Sequence, residues 1–181
     1  MSMMVSPYAF GSEIIGDGSV VGGTIDFTGL DLAAFYMIRV FLSGLEVNAS
    51  DNSIGLQLEM GGSVVSSGYQ YVAGAFTGAS TTATGSASSA QINLHRDAAS
   101  YGVGVAAGEN LSGYFDVTNA VGTLDKYATG HMSYSRSSST LVYTSVSGKL
   151  ANTSNVTGFR IFCTDGGGSL TAGRAFIMGL G

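Results

Sequence analysis

TGFRIFCTDGGGSLTAGRAFIMGLG, residues 157–181, is the part of the chain around which the other strands are expected to be arranged. It holds two apolar runs, residues 159–163 and 174–178, joined through three consecutive glycines. In the first run every second side chain, from Phe159 to Cys163, faces the same way when the chain is extended, and this period of two is typical of a half-buried strand. The stretch therefore predicts two β-strands with a turn between them.

The second run places β character at the end of the chain. The terminal residues of a domain usually fray, yet residues 175–180 are mostly apolar. We predict that they form a strand held inside a sheet, which makes the C-terminal residues a structural part of the domain.

The closing strand also carries a family resemblance. A G-x-L-x-x-G turn, followed by aromatic and aliphatic residues that run into Gly-Leu, resembles the β-sandwich (jelly-roll) structural proteins of tailed bacteriophages. The matching residues are Gly168, Leu170, Gly173, Phe176, Gly179 and Leu180. The resemblance covers the last quarter of the chain, and the rest is similar only in its alternation of short strands and turns. It implies a virion component, because such domains decorate capsids or build fibres and tail parts.

Composition limits the classes of partner. The chain has 181 residues, of which 45% are hydrophobic and only 10% are charged, whereas ~25% charged residues is usual. Such a weakly charged surface suits a protein that is largely covered by its partners. The formal net charge of −5 and the lack of any Lys/Arg cluster argue against nucleic-acid binding, which needs a basic patch.

Membrane and secretion signals are not found in the sequence. No apolar run is long enough to span a bilayer, and the first ten residues, MSMMVSPYAF, lack the basic and apolar regions of a signal peptide. Both facts fit a protein that is made in the cytoplasm and left there, or carried out inside a particle. With the phage resemblance, we expect a protein made in the host bacterial cytoplasm and carried in the virion. The single cysteine, Cys163, excludes an internal disulfide framework and is predicted to lie in the core.

The chain is predicted to form one domain with an arm. Residues 1–10 contain Pro7, Tyr8 and Phe10, and we interpret them as an extended arm that reaches a neighbouring subunit; a disordered lead-in is the alternative. Residues 11–181 are predicted to form a single β-sandwich domain.

Further strands are predicted along the chain. Residues 32–47 alternate with β-branched and aromatic residues, which favours a strand over a helix, with Gly44 at a bulge or bend. Residues 54–60 alternate most regularly, and Gln57 and Glu59 are predicted to face water. About nine or ten short strands spaced near ten residues apart indicate an all-β, antiparallel β-sandwich that is jelly-roll-like.

Residues 77–90, TGASTTATGSASSA, allow two interpretations. They contain no large side chain, so we predict a long mobile loop or a fringe lying on a partner.

Residues 126–135 and 140–146 are predicted to form a hairpin. In this hairpin, Met132 and Tyr134 of the first strand are predicted to face Leu141 and Tyr143 of the second.

The sequence offers few groups for catalysis or metal binding. His95 and His131 lie at predicted strand ends, outside any H-E-x-x-H pattern, and are interpreted as surface or interface residues. Cys163 beside a histidine would form a nucleophile–base pair, but its place in an apolar alternation favours the core. Residues 102–107 imitate a dinucleotide-binding fingerprint without a following helix. We predict no catalytic, cofactor or metal site.

Calcium ions and sugars are two further ligands that a β-sandwich can bind. The Asp-containing turns at Asp17, Asp51 and Asp165 are too sparse to fill a Ca²⁺ site. Sugar binding is a serious rival, because aromatic platforms on a sandwich stack on pyranose rings. The chain has nine Tyr and no Trp, although Tyr134 and Tyr143 are predicted to be buried.

The functional expectation combines these points. The protein is expected to be a non-enzymatic virion structural protein, a capsid decoration or cement protein. Its partners are expected to be copies of itself, as a homotrimer, and other virion proteins such as the major capsid protein, without nucleic acid or membrane. The alternative is a tail-fibre or baseplate module that binds a host-surface receptor or glycan.

Overall fold

The structure is a computed structural model that describes a defined part of the chain. The described residues are 12–49, 51–78, 80–96, 102–136, 140–164 and 167–181. The predicted arm at Pro7, Tyr8 and Phe10 lies outside them.

The described chain is all-β, as the sequence predicts. Its regular elements are strands: β1 (Ser12–Ser19), β2 (Thr24–Phe27), β3 (Met37–Val47), β4 (Ile54–Met60), β5 (Ser63–Val64), β6 (Tyr69–Phe76), β7 (Thr81–Ser89), β8 (Ile92–Asn93), β9 (Leu111–Thr118), β10 (Lys126–Arg136), β11 (Thr140–Leu150), β12 (Val156–Cys163) and β13 (Leu170–Leu180). None of the described residues forms a helix long and apolar enough to cross a bilayer.

The strands form two antiparallel sheets that pack face to face. The larger sheet has eight strands in the order β1-β13-β3-β9-β10-β11-β6-β7. The smaller sheet has the order β2-β12-β4-β5, with β8 also paired to β4. The predicted antiparallel β-sandwich is confirmed. The two strands of residues 157–181, β12 and β13, lie in different sheets.

The core lies between the sheets and is built by the inward side chains of both. Phe115 on β9 and Phe159 on β12 meet edge to face across the gap, with ring centroids 6.3 Å apart. Aliphatic side chains such as Ile25, Leu56 and Ile177 are fully buried around them. Cys163 is buried in this core, which confirms its predicted position.

The C-terminal strand is held inside the larger sheet. β13 pairs with β1 on one side and with β3 on the other, so the prediction for residues 175–180 is confirmed. β3 is also confirmed as a strand, and Gly44 lies at a break in its register with β9. Gly44 has a positive φ of 62°, which glycine adopts without the strain of other residues.

Residues 77–90 differ from the prediction of a loop or fringe. They contain β7, which pairs antiparallel with β6 from Thr81 opposite Phe76 to Ser89 opposite Tyr69. The strand forms because backbone hydrogen bonds to β6 satisfy its peptide groups, and these bonds need no large side chain.

The predicted exposure of Gln57 and Glu59 is wrong. Both side chains are buried because neighbouring segments cover this face of the smaller sheet. Gln57 donates to the carbonyl of Ala90 at 3.0 Å, and Glu59 Oε1 accepts from the hydroxyl of Thr157 at 2.9 Å. The hydrogen bonds provide the polar contacts that burial of these groups requires.

The predicted hairpin of β10 and β11 is confirmed, but its side-chain partners are not. Met132 lies opposite Thr144 and Tyr134 opposite Val142, and all four side chains are buried. Leu141 and Tyr143 point to the opposite face, because neighbouring residues of a strand alternate between the faces.

Candidate functional site

The candidate site lies on the outer face, by which we mean the face of the larger sheet that is turned away from the smaller one. Antiparallel pairing aligns its side chains in rows across the strands. In one row Phe176 on β13 lies opposite Phe41 on β3, Phe41 opposite Tyr114 on β9, and Tyr114 opposite His131 on β10. Ring centroids are 6.4 Å apart for Phe41 and Tyr114 and 5.7 Å apart for Tyr114 and His131.

On β11, Tyr143 reaches His131 from a diagonal position, since Tyr143 lies opposite Ser133 and Ser145 lies opposite His131. Its ring stacks on His131 with centroids 5.7 Å apart and 14° between the planes. Its hydroxyl oxygen lies 2.6 Å from His131 Nδ1, which is hydrogen-bond distance. His131 is half-buried in the middle of β10, not at a strand end as predicted. The hydrogen bond and the stacking together hold both rings in one orientation.

The β3 half of the outer face is charged and internally paired. Arg39 binds Asp116 through two hydrogen bonds, Nε to Oδ1 at 2.6 Å and Nη2 to Oδ2 at 2.7 Å. The hydrogen bond to Asp116 raises the pKa of Arg39. The guanidinium carbon also lies 4.4 Å from the ring centroid of Tyr114, within the range of a cation–π contact. Charge in this half is thus largely neutralised within the sheet.

The β6 half carries exposed apolar side chains. Four large side chains, which we call the outer patch, are 42 to 66% exposed: Val72, Phe76, Leu141 and Tyr143. The rings of Phe76 and Tyr143 lie 5.9 Å apart. None of the four is charged, and the prediction that Tyr143 is buried is wrong. The sequence contains a signal for these outward side chains, because Leu141 and Tyr143 alternate with the buried Val142. The alternation alone does not say whether Val142 or the pair Leu141 and Tyr143 faces the core.

A shallow groove of about 460 Å³ lies beside the outer patch. It runs between the exposed ring of Tyr127 on β10 and the backbone of β7. Amide, hydroxyl, ammonium and apolar groups line it, among them Gln70, Val72, Ser86, Ser147 and Lys149. The groove therefore combines one aromatic surface with several hydrogen-bonding groups.

Two lysines lie near the groove in different environments. Lys149 Nζ is 2.9 Å from a carboxylate oxygen of Asp125, and this hydrogen bond raises the pKa of Lys149. Lys126 is buried and donates to the carbonyls of Gly122 and Leu124 at 2.6 and 2.9 Å. Burial lowers the pKa of Lys126, although the nearby Asp125 opposes this shift. Lys149 can meet a ligand, whereas Lys126 supports the turn.

His95 is in the core, so its predicted surface or interface position is wrong. It is fully buried. Its Nε2 accepts from the amide of Ile54 at 2.9 Å, and its Nδ1 lies 3.1 Å from the carbonyl oxygen of Arg96. These bonds fit a neutral ring with the proton on Nδ1. The structure does not bring His95 together with His131, which faces outward.

The remaining sequence candidates form no catalytic or metal cluster in the described residues. No group of three or more His, Cys, Asp or Glu that could hold a metal ion is found among them. Residues 102–107, which resemble a dinucleotide-binding fingerprint, are held in the fold by Val103, which exchanges backbone hydrogen bonds with Asp51 and Asn52. No helix begins after Gly104, and the amide of Ala106 already donates to Glu109.

Fold and surface together define an antiparallel β-sandwich with an aromatic and apolar outer face. No known protein family, curated protein or solved structure matches the chain.

Proposed function

We propose that the protein is a non-enzymatic structural component of a tailed-phage virion, a capsid decoration protein that stabilises the shell by contact. The observation that carries this proposal is the outer patch. Its four large apolar side chains project from adjacent strands of one sheet and are left exposed. Exposed apolar patches on a soluble domain mark surfaces that bind other proteins.

The outer patch suits repeated adhesion. Burial of apolar surface contributes about 25 cal/mol per Å², and a Phe or Leu that goes from exposed to buried contributes about 1.5 to 3 kcal/mol. Each contact is modest. A shell repeats the same contact many times, so the total resistance to internal pressure is large.

The neighbouring rings favour a preformed contact surface. Tyr143 is held by His131, and Phe76 by Tyr143, so little side-chain freedom remains to be lost on binding. Tyr and Phe are enriched at the centres of protein interfaces. Arg39 and Asp116 neutralise each other. The β3 half of the outer face therefore carries little net charge that could repel a partner.

Removing the protein from purified particles tests the proposal. We expect stripped particles to lose resistance to heat and osmotic shock, and to regain it when the purified protein is added back. Immunogold labelling should place the protein on the head. Unchanged resistance after stripping, or labelling of the tail alone, contradicts a decoration role.

The groove beside Tyr127 supports a second candidate, a tail-fibre or baseplate module that binds a host-surface glycan. An exposed tyrosine ring can stack on a pyranose, and Gln70, Ser147 and Lys149 offer hydrogen bonds to its hydroxyl groups. A glycan array probed with the wild type and with Tyr127→Ala tests this function. Binding that the variant loses supports it, and an array without signal counts against it.

A further inference from the structure

We propose that two copies of this chain pair through β7, antiparallel and across a twofold axis, so that the larger sheets of both copies become one continuous sheet. This contact goes beyond the proposed function, because it uses the edge of the sheet and not the outer patch. The strand that binds at this edge is β7 of a second copy of the chain.

β7 is an open edge. It is the last strand of the larger sheet, and within the described residues it pairs with β6 alone. Its segment from Thr81 to Ser86 keeps an unbroken register with Phe76 to Tyr71. Every second residue of such a strand points its N–H and C=O away from the sheet, and these groups form a template for another strand.

The other strand edges in the described residues are protected. β1 has a break in register between Ile14 and Gly16, and Asp17 on this strand forms an ion pair with Arg174. β2 has four residues and carries Asp26, which binds Arg160. β5 and β8 have two residues each. Bulges, charges and short length are the usual protections of sheet edges, and from Thr81 to Ser86 β7 has none of them.

Charge and size favour a second copy as the occupant. β7 reads TTATGSASS, so it carries no charged group and no proline. Two copies therefore meet there without repulsion, although the net charge of each chain is −5. None of its side chains is larger than threonine, so opposite side chains do not collide when two such strands pair at the ordinary spacing of about 4.8 Å.

The register follows from the faces of the strand. Residues opposite each other in an antiparallel pair point to the same face. A twofold axis perpendicular to the sheet keeps every residue on its own face, so two opposite residues must be an even number of positions apart. One residue therefore lies opposite its own counterpart in the partner subunit, and the pair is centred on that residue. Centred on Thr84, the pairing places Ala83 opposite Gly85 of the partner subunit and Thr82 opposite Ser86 of the partner subunit.

The register places two hydroxyl side chains opposite each other. Ser86 Oγ donates to the carbonyl of Ser88 and accepts from its amide, which leaves one acceptor site on the oxygen. Thr82 Oγ1 has no hydrogen-bond partner within the described chain, and the chain itself shields it from solvent. In the pair, Thr82 would have to change its side-chain rotamer to donate to Ser86 of the partner subunit, and this cross-strand hydrogen bond would then stabilise the antiparallel sheet.

Sedimentation tests the contact in the full chain. We expect the wild type to form a concentration-dependent dimer, and the double variant Ala83→Lys, Ala87→Lys to dimerise at least ~10-fold more weakly, because edge lysines block strand pairing. The matched control is Ala151→Lys at an exposed position outside the strands, which should dimerise like the wild type. Circular dichroism verifies that each variant is folded.

Cross-linking tests the register. Directly opposite residues of an antiparallel pair have Cα atoms roughly 4.5 to 5.5 Å apart, which a disulfide can bridge. Thr84→Cys should therefore give a disulfide-linked dimer under mild oxidation, whereas the control Ala151→Cys should not.

The oligomeric mass separates this contact from the homotrimer that is expected from the sequence. A dimer mass together with the Thr84→Cys cross-link supports β7 pairing. A monomer at all concentrations, a trimer mass, or folded Thr84→Cys protein that does not cross-link overturns it. These results are independent of whether the outer patch binds a shell, since particle binding is measured separately.

Discussion

Phe76 and Tyr143 lie directly opposite each other on β6 and β11, with ring centroids 5.9 Å apart, on the face turned away from the core. Phe76 stays 42% and Tyr143 43% exposed in this contact. The rings therefore shield each other only in part, and much of their apolar area is left for a partner. This pair is the centre of the surface to which we assign adhesion.

Serine at the outer patch should leave the fold intact. For Leu141→Ser we expect the free energy of unfolding to change by less than about 0.5 kcal/mol, as for other exposed positions. The control is the next residue, Val142, which is fully buried. Val142→Ser should cost about 3 kcal/mol or more, because it leaves a cavity and buries a hydroxyl. Urea denaturation compares the two, and an equal loss for both would mean that Leu141 is part of the core.

The ion pair of Arg39 and Asp116 should contribute modestly to stability. Asp116→Asn removes the charge but keeps the shape, and we expect a loss of about 1 kcal/mol at low salt. Solvent screening limits this value, because the arginine side chain is 32% exposed. The more exposed pair Arg174–Asp17 is the control, and Asp17→Asn should cost less. If Asp17→Asn proves the more damaging change, this view of the charged half is wrong.

Gly113 is expected to be irreplaceable for steric reasons. A Cβ atom there would overlap the carbonyl oxygen of His131 on β10, and it would also reach the side chain of Met132. Gly113→Ala should cost about 2 kcal/mol or more, because two central strands must move apart. Gly74→Ala is the matched control, since its Cβ would meet only the ring of Phe76, at an ordinary 3.6 Å. Thermal unfolding should show a marked fall in Tm for the first variant only.

Tyr69 should make the protein sensitive to alkali. Its hydroxyl accepts from the amide of Leu58 at 2.8 Å and donates to the carbonyl of Val65 at 3.0 Å. Burial raises its pKa to about 12, whereas an unfolded tyrosine has a pKa of about 10. The unfolded chain loses this proton first, so the contribution of Tyr69 is complete below pH 10 and is lost as the pH rises through 12. The expected loss is about 2 to 3 kcal/mol.

Tyr69→Phe isolates this effect. The variant should be less stable at neutral pH by about 1 to 3 kcal/mol, because Leu58 and Val65 lose a hydrogen-bond partner. Its stability should then fall less steeply than that of the wild type between pH 10 and 12. Parallel curves for the two proteins across this interval would show that Tyr69 does not titrate as assigned.

The sequence predicts those strands that use large apolar side chains to bury one face. β3, β12 and β13 are such strands, because burial at every second position leaves a clear alternation. β7 has no such signal. Its residues are small and polar, and backbone pairing with β6 alone places it in the sheet, which depends on a partner strand that local sequence does not reveal.

The direction in which a side chain points was harder to predict than the strand itself. Gln57 and Glu59 alternate like exposed residues, yet other segments cover them. Leu141 and Tyr143 look like core residues and face outward. In each case the deciding fact is what lies against that face of the sheet, and this is a property of the tertiary structure. The outer patch could therefore not be recognised before the fold was known.

Binding of purified protein to stripped particles is the decisive test of adhesion through the outer patch. Fluorescently labelled wild type should bind them saturably and co-sediment with them. Phe76→Ser combined with Leu141→Ser should remain folded and lose at least ~10-fold in affinity, which corresponds to about 1.4 kcal/mol. Binding of the double variant that equals that of the wild type, or wild type that does not bind the particles, would contradict adhesion through the outer patch.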